Sequence, residues 1–258
     1  EESFNIDVNQ IEAKITDKTK AIIPVSLFGQ VADIDEINTL GKKYNLSIIE
    51  DAAQSFGATY KGKKSCNLST IACTSFFPAK PLGCFGDGGA VFTNDYALAE
   101  KIKSLRLHGQ SKPYEHKHIG LGARLDNLQA AVLLIKLKNY DDTISLRQAA
   151  AERYHKLLDN LIEKPVIKKY NTSVWAQYSI RIPSRDLIRS KLKEHGIPTA
   201  VYYPKPLHLQ ECFEYLGHKI GDFPVSEKVS EEIISLPMNP YLTYTEQKYT
   251  VEKLKKWL

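Results

Sequence analysis

The alternation of apolar and polar positions divides the chain into two parts of different character. Val8, Ile11 and Ile15 keep helical spacing behind Asp7, whose side chain suits an N-cap, so a short helix is expected there. Ala21-Ile22-Ile23-Pro24-Val25-Ser26-Leu27-Phe28-Gly29 is an almost unbroken apolar run, the pattern of a strand buried on both faces of a parallel sheet. From Asp33 to Tyr44, Ile34, Ile37, Leu40 and Tyr44 return to helical spacing, with acids in the first turn and lysines in the last, as the helix dipole favours. Leu46-Ser47-Ile48-Ile49 then reads as a second buried strand, and the three pieces predict a right-handed β-α-β unit.

Thr70–Phe76 and Gly89–Thr93 predict two more strands, and Ala97–Leu107 a helix. His108–His118 reads as a polar connector; His116 and His118 lack the further ligands that a zinc site needs. A long helical pattern starts near Asp126, with Asp126 and Gln129 at the spacing of a capping box and a bend expected near Asp141-Asp142 on the way to Leu161. Beyond it the pattern changes. Val174–Ile182 alternates as a half-buried strand, Asp186–His195 is helical up to Gly196, Thr199–Tyr203 and Ile233–Leu236 read as short strands, and Thr245–Leu258 as a closing amphipathic helix. The expected organisation is a large α/β domain over residues 1–139 and a smaller α+β domain over 140–258.

Composition narrows the function classes. The 35 basic and 30 acidic side chains leave a net charge of +5, spread too evenly to argue for nucleic acid. No apolar run has the length of a membrane span, and no basic-then-apolar leader is visible. Cys66, Cys73, Cys84 and Cys212 show no metal or redox spacing, which suits free thiols in a reducing cytoplasm.

The candidate chemistry centres on Lys80. Pro78 and Pro81 fix their own φ and push Phe77 and Lys80 away from helical geometry, and a glycine-rich turn, Gly83 to Gly89, follows. In open α/β sheets ligands gather at the carboxyl ends of strands, where Asp51 and Lys80 are both expected. A lysine and a carboxylate so placed suit pyridoxal 5'-phosphate (PLP): the amine holds the aldehyde and the carboxylate keeps the pyridine nitrogen protonated. Ser75 suits a phosphate ligand, and Gln54, three residues past Asp51, suits a contact to another polar group of the ring.

Several blocks then resemble one family. Glu50-Asp51-Ala52-Ala53-Gln54-Ser55-Phe56-Gly57-Ala58, Ser75-Phe76-Phe77-Pro78-Ala79-Lys80 and Gly86-Asp87-Gly88-Gly89-Ala90 are similar to the signature of DegT/StrS-type sugar-nucleotide aminotransferases. Pro24–Gln30 and Arg124–Ala131 resemble further blocks of that family. The resemblance implies the PLP-dependent transferase fold type I, which is aspartate-aminotransferase-like. It also implies a cytoplasmic homodimer and amino transfer from glutamate to a keto group of a nucleotide-linked sugar in cell-surface polysaccharide or glycan biosynthesis. Carried over by position, it makes Lys80 the Schiff-base lysine and proton shuttle, Asp51 the pyridinium partner, Gln54 a contact to the ring hydroxyl and Ser75 a phosphate ligand.

Val174–Tyr178, Pro198–Pro204 and Leu236–Tyr241 resemble the enzymes that aminate C3 of a UDP-linked 3-keto-N-acetylglucosaminuronate. There Arg124 is the expected partner of the uronate carboxylate, with Tyr202 and Tyr203 as further substrate candidates. The intact Lys80 speaks against the related dehydratases, which carry histidine at that place, and no Gly-x-Gly-x-x-Gly opens a helix to suggest a nicotinamide enzyme. Two departures qualify the match. Gly122 stands where the family has an asparagine that reaches the partner's cofactor phosphate, a loss of about 1–3 kcal/mol if that oxygen stays unpaired. The family pattern also begins well upstream of Glu1 with further phosphate ligands, so the alternative is a truncated remnant or fragment that does not retain PLP alone.

Overall fold

The computed structural model describes residues 2–159 and 161–258. Two compact units emerge, one from Phe4–Asp142 with Lys168–Val174, the other from Thr143–Ile167 with Trp175–Leu258.

In the first unit β1 (Ala21–Ile22), α1 (Ile34–Tyr44) and β2 (Ser47–Asp51) form the expected β-α-β unit, with β1 and β2 parallel at Ala21↔Ser47 and Ile22↔Ile48. Helix α1 buries Ile34, Ile37 and Gly41, and it ends where Asn45 turns left-handed and donates its N–H to Gly41. A hairpin of β3 (Thr59–Tyr60) and β4 (Lys63–Lys64) follows, then β5 (Ile71–Ser75) parallel to β2 and β6 (Gly89–Phe92) antiparallel to β5. The sheet order β1-β2-β5-β6 is therefore parallel except at its last pair. Next come α2 (Tyr96–Leu105), capped by the Asp95 side chain, a hairpin of β7 (Gln110–Lys112) and β8 (Glu115–His116), and α3 (Asn127–Lys138).

The second unit takes most of α4 (Tyr140–Leu158), then β9 (Tyr178–Arg181), α5 (Arg185–Glu194), α6 (Pro224–Glu232), β10 (Ile233–Leu236) and α7 (Tyr244–Lys255). Strands β9 and β10 pair antiparallel over a core of Tyr154, Tyr178, Ile180, Leu192, Ile234 and Leu254. Each such buried aliphatic side chain contributes roughly 1.5–3 kcal/mol. A capping box at Thr243 and Glu246 starts α7.

Several expectations are corrected. Val8–Ile15 is two 3-10 turns, Val8–Gln10 and Glu12–Lys14, although Asp7 does cap the first. The apolar run from Ala21 is buried on one face only: Ile22, Pro24 and Ser26 turn inward while Ile23 is 59% exposed. Pro24, which has no N–H to donate, interrupts the ladder after Ile22, and Val25 resumes it as a single bridge to Asp51. The polar connector His108–His118 carries a hairpin, Gln110–Lys112 paired with Glu115–His116, that was not expected. The long helical pattern breaks at Asn139, ahead of the expected bend. Trp175, with φ of 48°, takes the backbone out of extended geometry, so the strand expected from Val174 starts at Tyr178. Thr199–Tyr203 keeps only the Ala200↔Ser235 bridge. Among the described residues, no helix is long and apolar enough to cross a membrane.

Candidate active site

The sheet's pleat sorts the candidate residues. In β2, Ile48 and Glu50 point into the core and Ile49 and Asp51 to the opposite, more open face; in β5, Ala72 and Thr74 are buried while Cys73 and Ser75 share the open face. Asp51 lies level with Cys73, and Ser75 comes one pleat later, at the end of its strand. Asp51 Oδ1 accepts the Ala53 N–H at 3.0 Å, and Ser75 Oγ accepts the Phe77 N–H at 3.2 Å, which opens the turn that carries Lys80.

That turn is closed on itself. The Lys80 N–H donates to Phe77 O at 2.8 Å, the Cys84 N–H to Phe76 O at 2.8 Å, and the Phe76 N–H to Gly88 O at 2.7 Å. Gly83 is required here, because a Cβ on it would lie 2.6 Å from Pro78 O and 2.7 Å from Phe77 O. Lys80 itself is half-buried. Burial pushes its ammonium below the ordinary lysine range, and the Asp51 carboxylate pulls weakly the other way, so the two groups feel each other.

Gln54 is buried, and its Oε1 accepts the Phe28 N–H at 2.7 Å. Glu50, next to Asp51 but on the other side of the sheet, has no exposed surface. Its Oε1 accepts from Ser65 Oγ at 2.8 Å and its Oε2 from the Cys66 N–H at 3.0 Å, while Ser65 also meets Ser55 Oγ at 2.8 Å. Burial raises the Glu50 carboxyl in spite of these two bonds, and the Asp51 charge adds to the rise.

Arg124 lies exposed in the segment before α3 and has no hydrogen bond or ion pair among the described residues. The expected capping box is not formed: Asp126 makes no side-chain cap, and Gln129 Oε1 instead accepts the Phe85 N–H at 2.7 Å. Gly122 faces His108, whose Cε1 would be 2.9 Å from a Cβ built there, so an asparagine at this position requires the imidazole to move. Tyr202 and Tyr203 belong to the second unit; their rings meet edge to face at 5.6 Å, and Tyr203 is 53% exposed rather than a core residue. Spacing alone did not reveal Glu50 or Gln129 as structural elements of this region. The signal for Glu50 was its place one residue out of phase with Asp51 in a period-2 strand.

A half-buried amine within electrostatic reach of a carboxylate, near the carboxyl ends of parallel strands, suits covalent binding of a carbonyl. Residues 1–255 match the model of the DegT/DnrJ/EryC1/StrS aminotransferase family, and the chain belongs to that family. It is 52% identical over 241 residues to the UDP-2-acetamido-2-deoxy-3-oxo-D-glucuronate aminotransferase of Pseudomonas aeruginosa, covering 93% of this chain and 66% of that protein. Among solved structures, DesV of S. venezuelae in complex with a ketimine intermediate superposes with a TM-score of 0.96 at 38% identity, over 99% of this chain and 70% of that one. NtdA from Bacillus subtilis with bound cofactor PMP gives a TM-score of 0.89 at 32% identity, over 99% of this chain and 60% of that one. The α/β fold of type I is thus shared, and the chain spans about two thirds of the length of these relatives.

Proposed function

We propose that this chain carries the lysine-bearing part of a PLP-dependent aminotransferase that moves an amino group from glutamate to a keto group of a nucleotide-linked sugar. The observation that carries the reading is Lys80: a half-buried amine, held in a closed turn, with a lowered pKa and Asp51 within electrostatic reach. PLP supplies an electron sink when bound. Lys80 Nζ, whose neutral form burial favours, holds the carbonyl and afterwards carries protons at the reacting carbon. Asp51 keeps a ring nitrogen protonated, and Ser75, at the end of β5, offers a hydroxyl to the phosphate. Gln54, its Oε1 held by the Phe28 N–H, would contact the ring hydroxyl.

The sugar is a UDP-linked 3-keto-N-acetylglucosaminuronate, as the name of the P. aeruginosa relative states for that protein. Arg124, exposed and without a partner among the described residues, supports this choice, since a guanidinium pairs bidentately with a uronate carboxylate. Tyr202 and Tyr203 are its further candidate contacts. The pathway is the biosynthesis of a cell-surface polysaccharide or glycan, and the enzyme is cytoplasmic. A homodimer is supported by α3, which leaves Leu128 81% and Ile135 65% exposed.

The test is reductive trapping. The chain is incubated with PLP, reduced with borohydride and mapped by peptide mass. A pyridoxyl adduct on Lys80, absent in Lys80→Arg, is expected; labelling spread over surface lysines with none at Lys80 would sink the reading.

A further inference from the structure

The turn that follows Lys80 is tethered from outside by two side chains of α3. Leu82 and Cys84 point inward and are buried, whereas Phe85 is 76% exposed, so packing does not anchor the outer part of this turn. Gln129 Oε1 accepts the Phe85 N–H at 2.7 Å, and Lys136 Nζ donates to Gly83 O at 2.6 Å while standing 4.9 Å from the centre of the Phe85 ring. Residues 129 and 136 are seven apart, two turns of α3, and so lie on one face of the helix.

Their hold reaches Lys80 through Gly83. The Gly83 Cα lies so close to the Phe77 and Pro78 carbonyls that no Cβ fits between them, and Phe77 O is the acceptor of the Lys80 N–H. A shift of Gly83 therefore presses on the peptides that define the Lys80 turn. We infer that Gln129 and Lys136 are positioning residues that set the place of the Lys80 amine from α3. The inference rests on the reading of Lys80 as the reacting amine.

The experiment compares four variants of the full chain in pairs. Gln129→Ala and Lys136→Met remove the tethers; Gln129→Glu keeps an acceptor for the Phe85 N–H, and Lys136→Arg keeps a cationic donor for Gly83 O. The rate of borohydride trapping of PLP at Lys80 is read by peptide mass, and amide exchange over residues 81–88 is read in parallel. The truncating variants are expected to slow trapping at Lys80 about fivefold each, the factor that one lost hydrogen bond represents, and to speed exchange in the turn. The conservative variants are expected to stay within about twofold of the parent in trapping, a rescue that general loss of structure does not produce. Equal trapping in folded truncating variants overturns the inference while leaving the reading of Lys80 intact. So does an equal loss in the conservative variants. Absence of trapping at Lys80 in the parent chain overturns the reading of Lys80 and, with it, the inference.

Discussion

Replacing Glu50 by glutamine should change how stability depends on pH. The carboxyl is wholly buried, and burial raises its pKa above the ordinary 4.5 against the pull of the Ser65 and Cys66 hydrogen bonds. A raised folded-state value means that the native chain keeps this proton to higher pH than the unfolded chain does. The Glu50 contribution is therefore fully present below pH 4.5, falls as pH rises through the folded value and stays low above it. Each unit of elevation is worth about 1.4 kcal/mol. In Glu50→Gln the amide has no charge to desolvate: its oxygen accepts the Cys66 N–H, and its NH2 donates to Ser65 Oγ, whose proton turns to Ser55. At pH 7 this variant should be more stable than the parent, by about 1.4 kcal/mol for each unit of that elevation, with the advantage vanishing towards pH 4.5. Glu50→Leu leaves the Cys66 N–H without its acceptor, at a cost of about 1–3 kcal/mol, and its deficit relative to the parent should be largest near pH 4.5 and shrink as pH rises. Urea unfolding followed by far-ultraviolet circular dichroism between pH 4.5 and 8 isolates the effect as the difference between parent and Glu50→Gln. A difference that is flat across this range, or that grows towards acid, refutes the argument.

Gly83→Ala forces a Cβ to within 2.6 Å of Pro78 O, and should lower stability by about 1–3 kcal/mol in thermal denaturation while slowing trapping at Lys80. Thr243→Ala opens the capping box of α7 and should cost about 1 kcal/mol, seen as a lower urea midpoint with an unchanged slope. In competitive acylation across pH, Lys80 should react at lower pH than Lys61. Burial depresses the first amine, while the Asp35 carboxylate raises the second, so the neutral form of Lys80 appears first as pH climbs. Reversal of that order contradicts the electrostatics. Gly122→Asn should displace the His108 ring, measurable as a shift of its imidazole resonances, because a side chain there starts 2.9 Å from Cε1.

The elements legible in the sequence are those in which one local rule decides. Helix α1 was readable because its apolar spacing, acidic start and lysine-rich end all agree, and β2, β5, β6 and β10 were readable as short apolar runs between turn residues. The turn at Lys80 was legible because two prolines leave its backbone little choice. What escaped depended on partners distant in sequence. Asp126 and Gln129 have the spacing of a cap, but the Phe85 N–H, 44 residues earlier, competes for Gln129 and wins. Apolarity at Ile23 and Val25 argues for burial, yet whether a strand is covered on both faces depends on what packs there, and no property of the strand itself reports that. Trp175 at positive φ is equally silent in the sequence, since nothing local favours a left-handed tryptophan.

The alternation of β2 also bears on how this segment tolerates changes of length. Glu50 and Asp51 are adjacent carboxylates assigned to opposite sides of one strand. Point substitutions at Ser47 or Ile49 leave that assignment intact. A single-codon insertion or deletion between Leu46 and Glu50 does not, because it moves each later side chain to the opposite face. An insertion would turn Glu50 out to the open face, level with Cys73, whereas a deletion would put Asp51 among Ser65, Cys66 and Ala72, one methylene too short for the hydrogen bonds to Ser65 and Cys66. Two-codon changes restore the phase. In a library of length variants through this strand, survivors should therefore differ from the parent by even numbers of residues.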